Sequence, residues 1–156
     1  RHLAYHDALT DLPNRLYFME CLEQEIESAR QHGKKFAVIF LDVDNFKEVN
    51  DTMGHMTGDF VLTEAGYRLK QAVRKQDIVA RIGGDEFTVL LPQITGEEEA
   101  VSVVKAIQNK FKKPILTNCN MYHLSFSIGI SIFPQDAKTA TDVLTKADHA
   151  LYKVKA

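Results

Sequence analysis

The 156-residue sequence is poor in the features that mark several protein classes. Its two cysteines, Cys21 and Cys119, are too few for a disulfide framework and lack the spacing of a metal-ligand set, so a reducing compartment is the default. Its longest apolar run, residues 36–41, falls far below the roughly 20 residues a membrane-spanning helix needs. No signal-peptide pattern is present. There is no excess of positive charge either: 19 Lys and Arg stand against 21 Asp and Glu, a formal net charge of −2. The bulk basic field that holds a nucleic-acid backbone or an anionic membrane is missing, so any anion must be gripped by a local site. No Pro/Gly/Ser-rich linker or internal repeat divides the chain, and residues 1–156 are expected to form one domain. The start on Arg1 rather than Met makes a domain cut from a longer protein the expectation.

What is present suits a soluble, cored protein: 45% of residues are hydrophobic and 26% charged. Leu12, Leu16, Met19, Leu22, Ile26 and Ala29 recur at three- and four-residue steps, predicting an amphipathic helix that Gly33 would stop. Residues 36–44 form a nearly continuous apolar run rich in β-branched and aromatic side chains, as in a buried central strand. A short helical turn and a longer helix over 57–73 are expected next. Residues 78–82 and 86–91, separated by Gly-Gly-Asp, read as a β-hairpin, because paired glycines supply the positive φ of a tight turn. A helix over 97–111 opens with three acids that suit the positive end of its dipole. A strand over 122–133 stops at Pro134, and a helix over 139–155 has Thr139 or Thr141 as its N-cap. The economical packing is an α/β (α+β) fold: a central, mostly antiparallel, five-stranded sheet with a βαββαβ core, flanked by helices.

The chemistry begins with acids in apolar company. Asp42 and Asp44 close the most hydrophobic strand, and Asp85 and Glu86 occupy the hairpin tip. A bare carboxylate is expensive to bury unless it is paired or bound to a cation. Two carboxylate pairs at adjacent strand ends supply the hard oxygen ligands of a Mg²⁺ site; the plainer reading is strand-end acids pointing into water. Gly83 and Gly84 tip the balance, because glycine lets a backbone approach a triphosphate closely. Lys47, near a short helix start, would meet a phosphate there. Around Gly54 and Gly58, Asn50, His55 and Asp59 project hydrogen-bonding side chains. An Asp accepts from both N1–H and the exocyclic amine of guanine, whereas adenine would set it against a lone pair, a mismatch strong enough to select a base. Asn and Asp are also ordinary turn and cap residues.

Gly83-Gly-Asp-Glu-Phe87 is the pentapeptide that names the GGDEF family, and the sequence resembles diguanylate cyclases over nearly its whole length. Asp7-Ala-Leu-Thr-Asp-Leu-Pro-Asn-Arg15 resembles the family's N-terminal turn, and Asp42-Val-Asp-Asn-Phe-Lys-Glu-Val-Asn-Asp51 its metal and phosphate segment. Gly54-His-Met-Thr-Gly-Asp59, Ser127-Ile-Gly-Ile130 and Lys146-Ala-Asp-His-Ala-Leu-Tyr152 continue the match in order. The resemblance implies a fold similar to nucleotidyl cyclases and polymerase palms, and condensation of two GTP into cyclic di-GMP with release of two pyrophosphates. It implies two Mg²⁺ (or Mn²⁺) per half-site, held by Asp42, the Val43 carbonyl and Asp85 with support from Glu86. Asp85 would serve as base and Lys47 would offset phosphate charge. Asn50 and Asp59 would read guanine; His55, Phe46, Gly83 and Gly84 would line the nucleotide, and Lys155 would touch its phosphates. Phe46, Phe87, Phe126 and Phe133 otherwise read as core.

Each domain of this family holds one GTP, so two copies must face each other, as a homodimer, for turnover. Arg74-Lys-Gln-Asp77 resembles the family's RxxD inhibitory site, where cyclic di-GMP would bind Arg74 and Asp77; the plainer reading is an i,i+3 ion pair. Two departures from the family pattern are visible. Val154 stands where Ala is common, and Asp11 replaces a frequent Gly. The implied setting is cytoplasmic, behind an upstream sensory domain, with no nucleic-acid or membrane contact by the domain itself. The rival of a different class is a catalytically silent module that senses GTP or cyclic di-GMP. A polymerase-like palm has similar carboxylates but needs the basic surface this chain lacks.

Overall fold

A computed structural model of the chain describes residues 2–118 and 120–150. Their elements run α1 (His2–Tyr5), α2 (Arg15–His32), β1 (Lys35–Val43), α3 (Phe46–Met53), α4 (His55–Ala72), β2 (Ile78–Gly83) and β3 (Glu86–Ile94). They continue as α5 (Glu97–Lys110), β4 (Ile115–Leu116), β5 (Met121–Tyr122), β6 (Phe126–Phe133) and α6 (Ala140–Ala150). The sheet has the order β2-β3-β1-β6, and every neighbouring pair is antiparallel. This is the expected βαββαβ core. It has four strands where five were expected, because β4 and β5 pair with each other in a separate ribbon.

The central position of β1 explains its unbroken apolar run, since a strand covered on both faces has no polar side. Ala37, Ile39, Leu41 and Val43 enter one core with α4 and α5, while Phe36, Val38 and Phe40 enter a second with α2 and α6. Asp42 follows the parity of the second set and therefore lies at the end of the α2/α6 face. On the neighbouring strand, Glu86 shares the parity of Thr88 and Leu90 and stands directly opposite Asp42.

Caps set the element ends. The Asn14 side chain accepts from the Tyr17 N–H at the start of α2, and Gly33 (φ 62°) ends that helix. Thr139 is the cap residue of α6, because its hydroxyl accepts from the Asp142 N–H at 3.1 Å. The expected strand over 122–133 divides in two. Val43, the last residue of β1, pairs with Phe126, so the sheet offers residues before Phe126 no ladder partner beyond one Asp44 N–H bond to the Ser125 carbonyl.

Candidate functional site

Three carboxyl groups meet where β1 ends. Asp42 is the register partner of Glu86 on β3, which brings their Cβ atoms within about 5 Å. Asp85 is in the two-residue loop between Gly83 and Glu86, where Gly84 at φ 48° supplies the positive φ that a hairpin needs at the first central position. The Val43 N–H donates to the Asp85 carbonyl at 3.1 Å, docking the loop onto the end of β1. From there the Asp85 side chain is close enough for its carboxyl group to act on that of Asp42. Burial, then the charges of Asp85, Glu86 and Asp44, push the Asp42 carboxyl up to about 7. Glu86 is also raised, by burial and by Asp148 and Asp85, with Arg15 opposing. Among the described residues, the acids that act on Asp42 and Glu86 outnumber the cations that oppose them.

The two acids of β1 have different fates. Asp44 accepts from the Ser125 hydroxyl at 2.8 Å and the Ser127 hydroxyl at 2.5 Å, so its oxygens are occupied in tying β1 to β6. Among the described residues, the groups whose charge acts on Asp42 are all acids. Among the described residues no three His, Cys, Asp or Glu side chains are arranged to ligate one ion. A set of two carboxylates and one main-chain carbonyl does not require such a trio. The chemistry of Asp42, Asp85 and the Val43 carbonyl suits a hard divalent cation: oxygen donors only, with a carboxyl group pushed up to about 7 by burial and by its neighbours' charge.

The glycine turn is open. Among the described residues, a Cβ built on Gly83 or Gly84 would meet nothing beyond its chain neighbours within 4 Å, which leaves their backbone open to a ligand. Beside it, Asn45 takes φ 57° to start α3 with no side-chain cap, and Lys47 is exposed on the first turn. Asn50, in the last turn of α3, is half-buried, and His55 and Asp59 are exposed one turn apart on the same side of α4. Gly58 makes the close approach of the two helices possible: a Cβ there would lie 1.9 Å from Asn50 Oδ1 and 3.2 Å from the Phe46 ring. Asn50, Phe46 and the residue preceding Asp59 are thereby in contact. Lys155 and Cys119 lie outside the described residues.

Arg74 and Asp77 form the plainer of the two structures considered for them, and a richer one than a surface pair. Arg74 donates to Asp77 through Nε and Nη2, and to Glu99 through Nη1 at 3.0 Å. The Asp77 carboxylate, whose side chain is 0% exposed, also accepts from the Arg74 N–H. The guanidinium stands at the wall of a 370 Å³ groove between the end of α4 and α5, alongside Glu98 and Ser102.

Comparison with known proteins places the chain in a family. Residues 4–156 match the family model described as diguanylate cyclase, GGDEF domain. The chain belongs to the GGDEF domain family. It is 40% identical over 155 residues to the diguanylate cyclase TpbB of Pseudomonas aeruginosa, a match covering 99% of this chain and 36% of that protein. The isolated GGDEF domain of TpbB superposes with a TM-score of 0.91 at 39% identity, covering 96% of this chain and 87% of that one. The GGDEF domain of DgcB from Caulobacter crescentus, solved in complex with c-di-GMP, gives 0.89 at 27% identity, covering 98% and 88%. The chain spans less than half the length of the curated relatives it matches.

Sequence reasoning missed Asp7, Arg81, Ser125 and Ser127. Arg81 had a legible signal, since a charged side chain inside the apolar strand 78–82 demands a partner. That partner is Asp7, at 2.8 Å.

Proposed function

We propose that this GGDEF domain condenses two GTP into cyclic di-GMP and two pyrophosphates, working as a homodimer of facing half-sites. The observation that carries the reading is the meeting of Asp42, Asp85 and Glu86 beside an open glycine turn, with the Asp42 carboxyl raised to about 7 by burial and like charge. Asp42, the Val43 carbonyl and Asp85 would hold two Mg²⁺ or Mn²⁺ ions, with Glu86 in support. Bound there, the metal neutralises charge on the triphosphate and polarises the α-phosphate.

The chain's own groups do the rest. Asp85 accepts the proton of the attacking 3′-hydroxyl, which bonds to the α-phosphorus of the GTP held by the facing copy as pyrophosphate leaves. The open backbone of Gly83 and Gly84 lets the phosphates come close, and Lys47 at the uncapped start of α3 offsets their charge. Lys155 adds a phosphate contact. Asn50 and Asp59 read the guanine edge, with His55 and Phe46 lining it. Because phosphoryl transfer depends mainly on placement and electrostatics, these positions matter more than any single reactive group. Cyclic di-GMP returns to Arg74 and Asp77 as an inhibitor, and the complex of the DgcB domain with c-di-GMP supports product binding. Arg74 would release Glu99 to fork onto guanine O6 and N7, while the buried Asp77 keeps the guanidinium aimed. No helix among the described residues is long and apolar enough to cross a membrane, which fits cytoplasmic work under a sensory domain of a longer protein.

The test is turnover of GTP with Mg²⁺ over a wide range of protein concentration, measuring cyclic di-GMP and pyrophosphate beside an Asp85→Ala control. Product that rises faster than in proportion to protein and vanishes in Asp85→Ala is expected. No product at any concentration, even with a dimerising coiled coil fused before residue 1, overturns the reading. Nucleotide binding without turnover then supports the silent sensor.

A further inference from the structure

The catalytic turn has little to hold it in place. Gly83 and Gly84 have no side chains, and among the described residues nothing beyond their chain neighbours comes within 4 Å of a Cβ built on either, so little packing among those residues fixes the loop that carries Asp85. The β2–β3 ladder is itself irregular there, with a register shift between Arg81 and Gly83. Two contacts compensate. One is the Val43 N–H on the Asp85 carbonyl. The other comes from Arg81, whose Nε and Nη2 both donate to the Gly84 carbonyl, at 2.9 and 2.7 Å.

Arg81 is in turn fixed from its far end. Its Nη1 donates to both carboxylate oxygens of Asp7, at 2.8 and 3.0 Å, and the Arg81 and Asp7 side chains are only 14% and 18% exposed. Asp7 is itself held, because its carboxylate accepts from the Thr10 N–H and hydroxyl, each at 2.8 Å. The Arg81 N–H donates to the Pro13 carbonyl, so the loop before α2 also covers the edge of β2. The guanidinium thus spans two segments: one edge grips the loop before α2, the other grips the carbonyl that precedes Asp85.

We propose that Arg81, clamped by Asp7, is a positioning residue for the reaction, setting where the Asp85 carboxylate stands relative to Asp42. It touches neither nucleotide nor reacting atoms. It acts through the Gly84 carbonyl on the next residue's backbone, and the first loop of the domain takes part in catalysis through it. A planar fork is required, since a lysine in its place can reach Asp7 or the Gly84 carbonyl but has no geometry for both. The inference rests on the diguanylate cyclase reading, and it predicts a particular kinetic pattern. Misplacing a catalytic group by about 1 Å lowers turnover by about 10²-fold, while the guanine contacts on α3 and α4 remain intact.

The experiment compares wild type, Arg81→Ala, Arg81→Lys, Asp7→Asn and the double variant Asp7→Asn/Arg81→Lys as coiled-coil-fused dimers, each verified as folded by circular dichroism and thermal unfolding. Expected are a fall in kcat of roughly 10²-fold in Arg81→Ala, a smaller fall in Arg81→Lys and Asp7→Asn, and a KM for GTP that stays within about threefold. The double variant should be no worse than the poorer single one, because both break the same link. Amide hydrogen exchange at Val43, whose N–H donates to the Asp85 carbonyl, should accelerate in all four variants. Folded variants with wild-type kcat, or with unchanged exchange at the Val43 amide, overturn the proposal. So does a loss shared equally between kcat and binding. Absence of turnover in the wild type counts against the diguanylate cyclase reading alone, and the exchange measurement still decides for or against the clamp.

Discussion

Replacing Asp42 by Asn should make the metal-free protein more stable while abolishing its proposed activity. In the fold the Asp42 carboxyl stands among Asp85, Glu86 and Asp44, and burial plus their charge move it from the ordinary 3.8 up to about 7. In a dry site a shift of that size would amount to about 4 kcal/mol. Asp42 is only half-buried, so screening reduces the figure to about 1–2 kcal/mol. The sign follows from the direction of the shift. The unfolded chain gives up the proton near 3.8 and the folded chain near 7, so between those values the folded state binds more protons and stability falls as pH rises. Above about pH 7 the whole penalty is present. Asn keeps the shape and can still donate to Asp85, but it brings no charge. Thermal unfolding in chelator at pH 8 should therefore show Asp42→Asn melting about 3–6 °C above wild type, with the gap shrinking at pH 5. Added Mg²⁺ should raise the melting temperature of the wild type and leave that of Asp42→Asn nearly unmoved. A variant less stable than wild type at pH 8 in chelator, or a gap independent of pH, refutes the claim that these carboxyl groups are held together against their own repulsion.

Two other substitutions separate binding from folding. Gly58→Ala sets a methyl group 1.9 Å from Asn50 Oδ1, the far end of a side chain that can swing away. An alanine inside α4 also recovers up to about 1 kcal/mol of helix propensity. Stability should hardly change while KM for GTP rises about tenfold and discrimination against ATP weakens; unchanged KM would show that Asn50 does not read the base. Arg74→Ala leaves the buried Asp77 carboxylate with only the Arg74 N–H, which lowers stability by about 1–3 kcal/mol. Inhibition by cyclic di-GMP should weaken at least tenfold with initial turnover retained, and equal inhibition of variant and wild type would remove Arg74 from the product site.

Much of this fold is written locally. The apolar run over 36–44, rich in β-branched and aromatic residues, read as a central strand buried on two faces, and residues 35–43 form β1 inside the sheet. Repeats of three and four residues placed α2, and the glycine pair placed the β2–β3 turn, because both signals arise within one turn of backbone. The β4–β5 ribbon was illegible for the opposite reason. Each strand has two residues, too few to show a period, and the ribbon depends on packing from afar. Arg68 on α4 supplies part of that packing by donating to the carbonyls of Lys110, Lys113 and Pro114 as the chain leaves α5.

The site divides along the same line between local pattern and tertiary pairing. Asp42, Asp85 and Glu86 were visible because a carboxylate in an apolar strand or on a glycine turn is already a conflict within a few residues of sequence. Nothing so local separates Asp42 from Asp44, two residues apart on one strand end. What separates them is β6 and the residue before it, whose Ser127 and Ser125 satisfy Asp44, whereas the charged groups among the described residues that act on Asp42 are all acids. The pairing of Asp7 with Arg81 spans 74 residues, and neither partner reveals the other. Arg81 announces a need for an acid, and 21 Asp and Glu are available to meet it. Only the closing of the loop before α2 against the edge of β2 selects Asp7. Groups that act on a ligand were therefore legible as local anomalies, whereas groups that hold those first ones in place became legible only once the strands were paired.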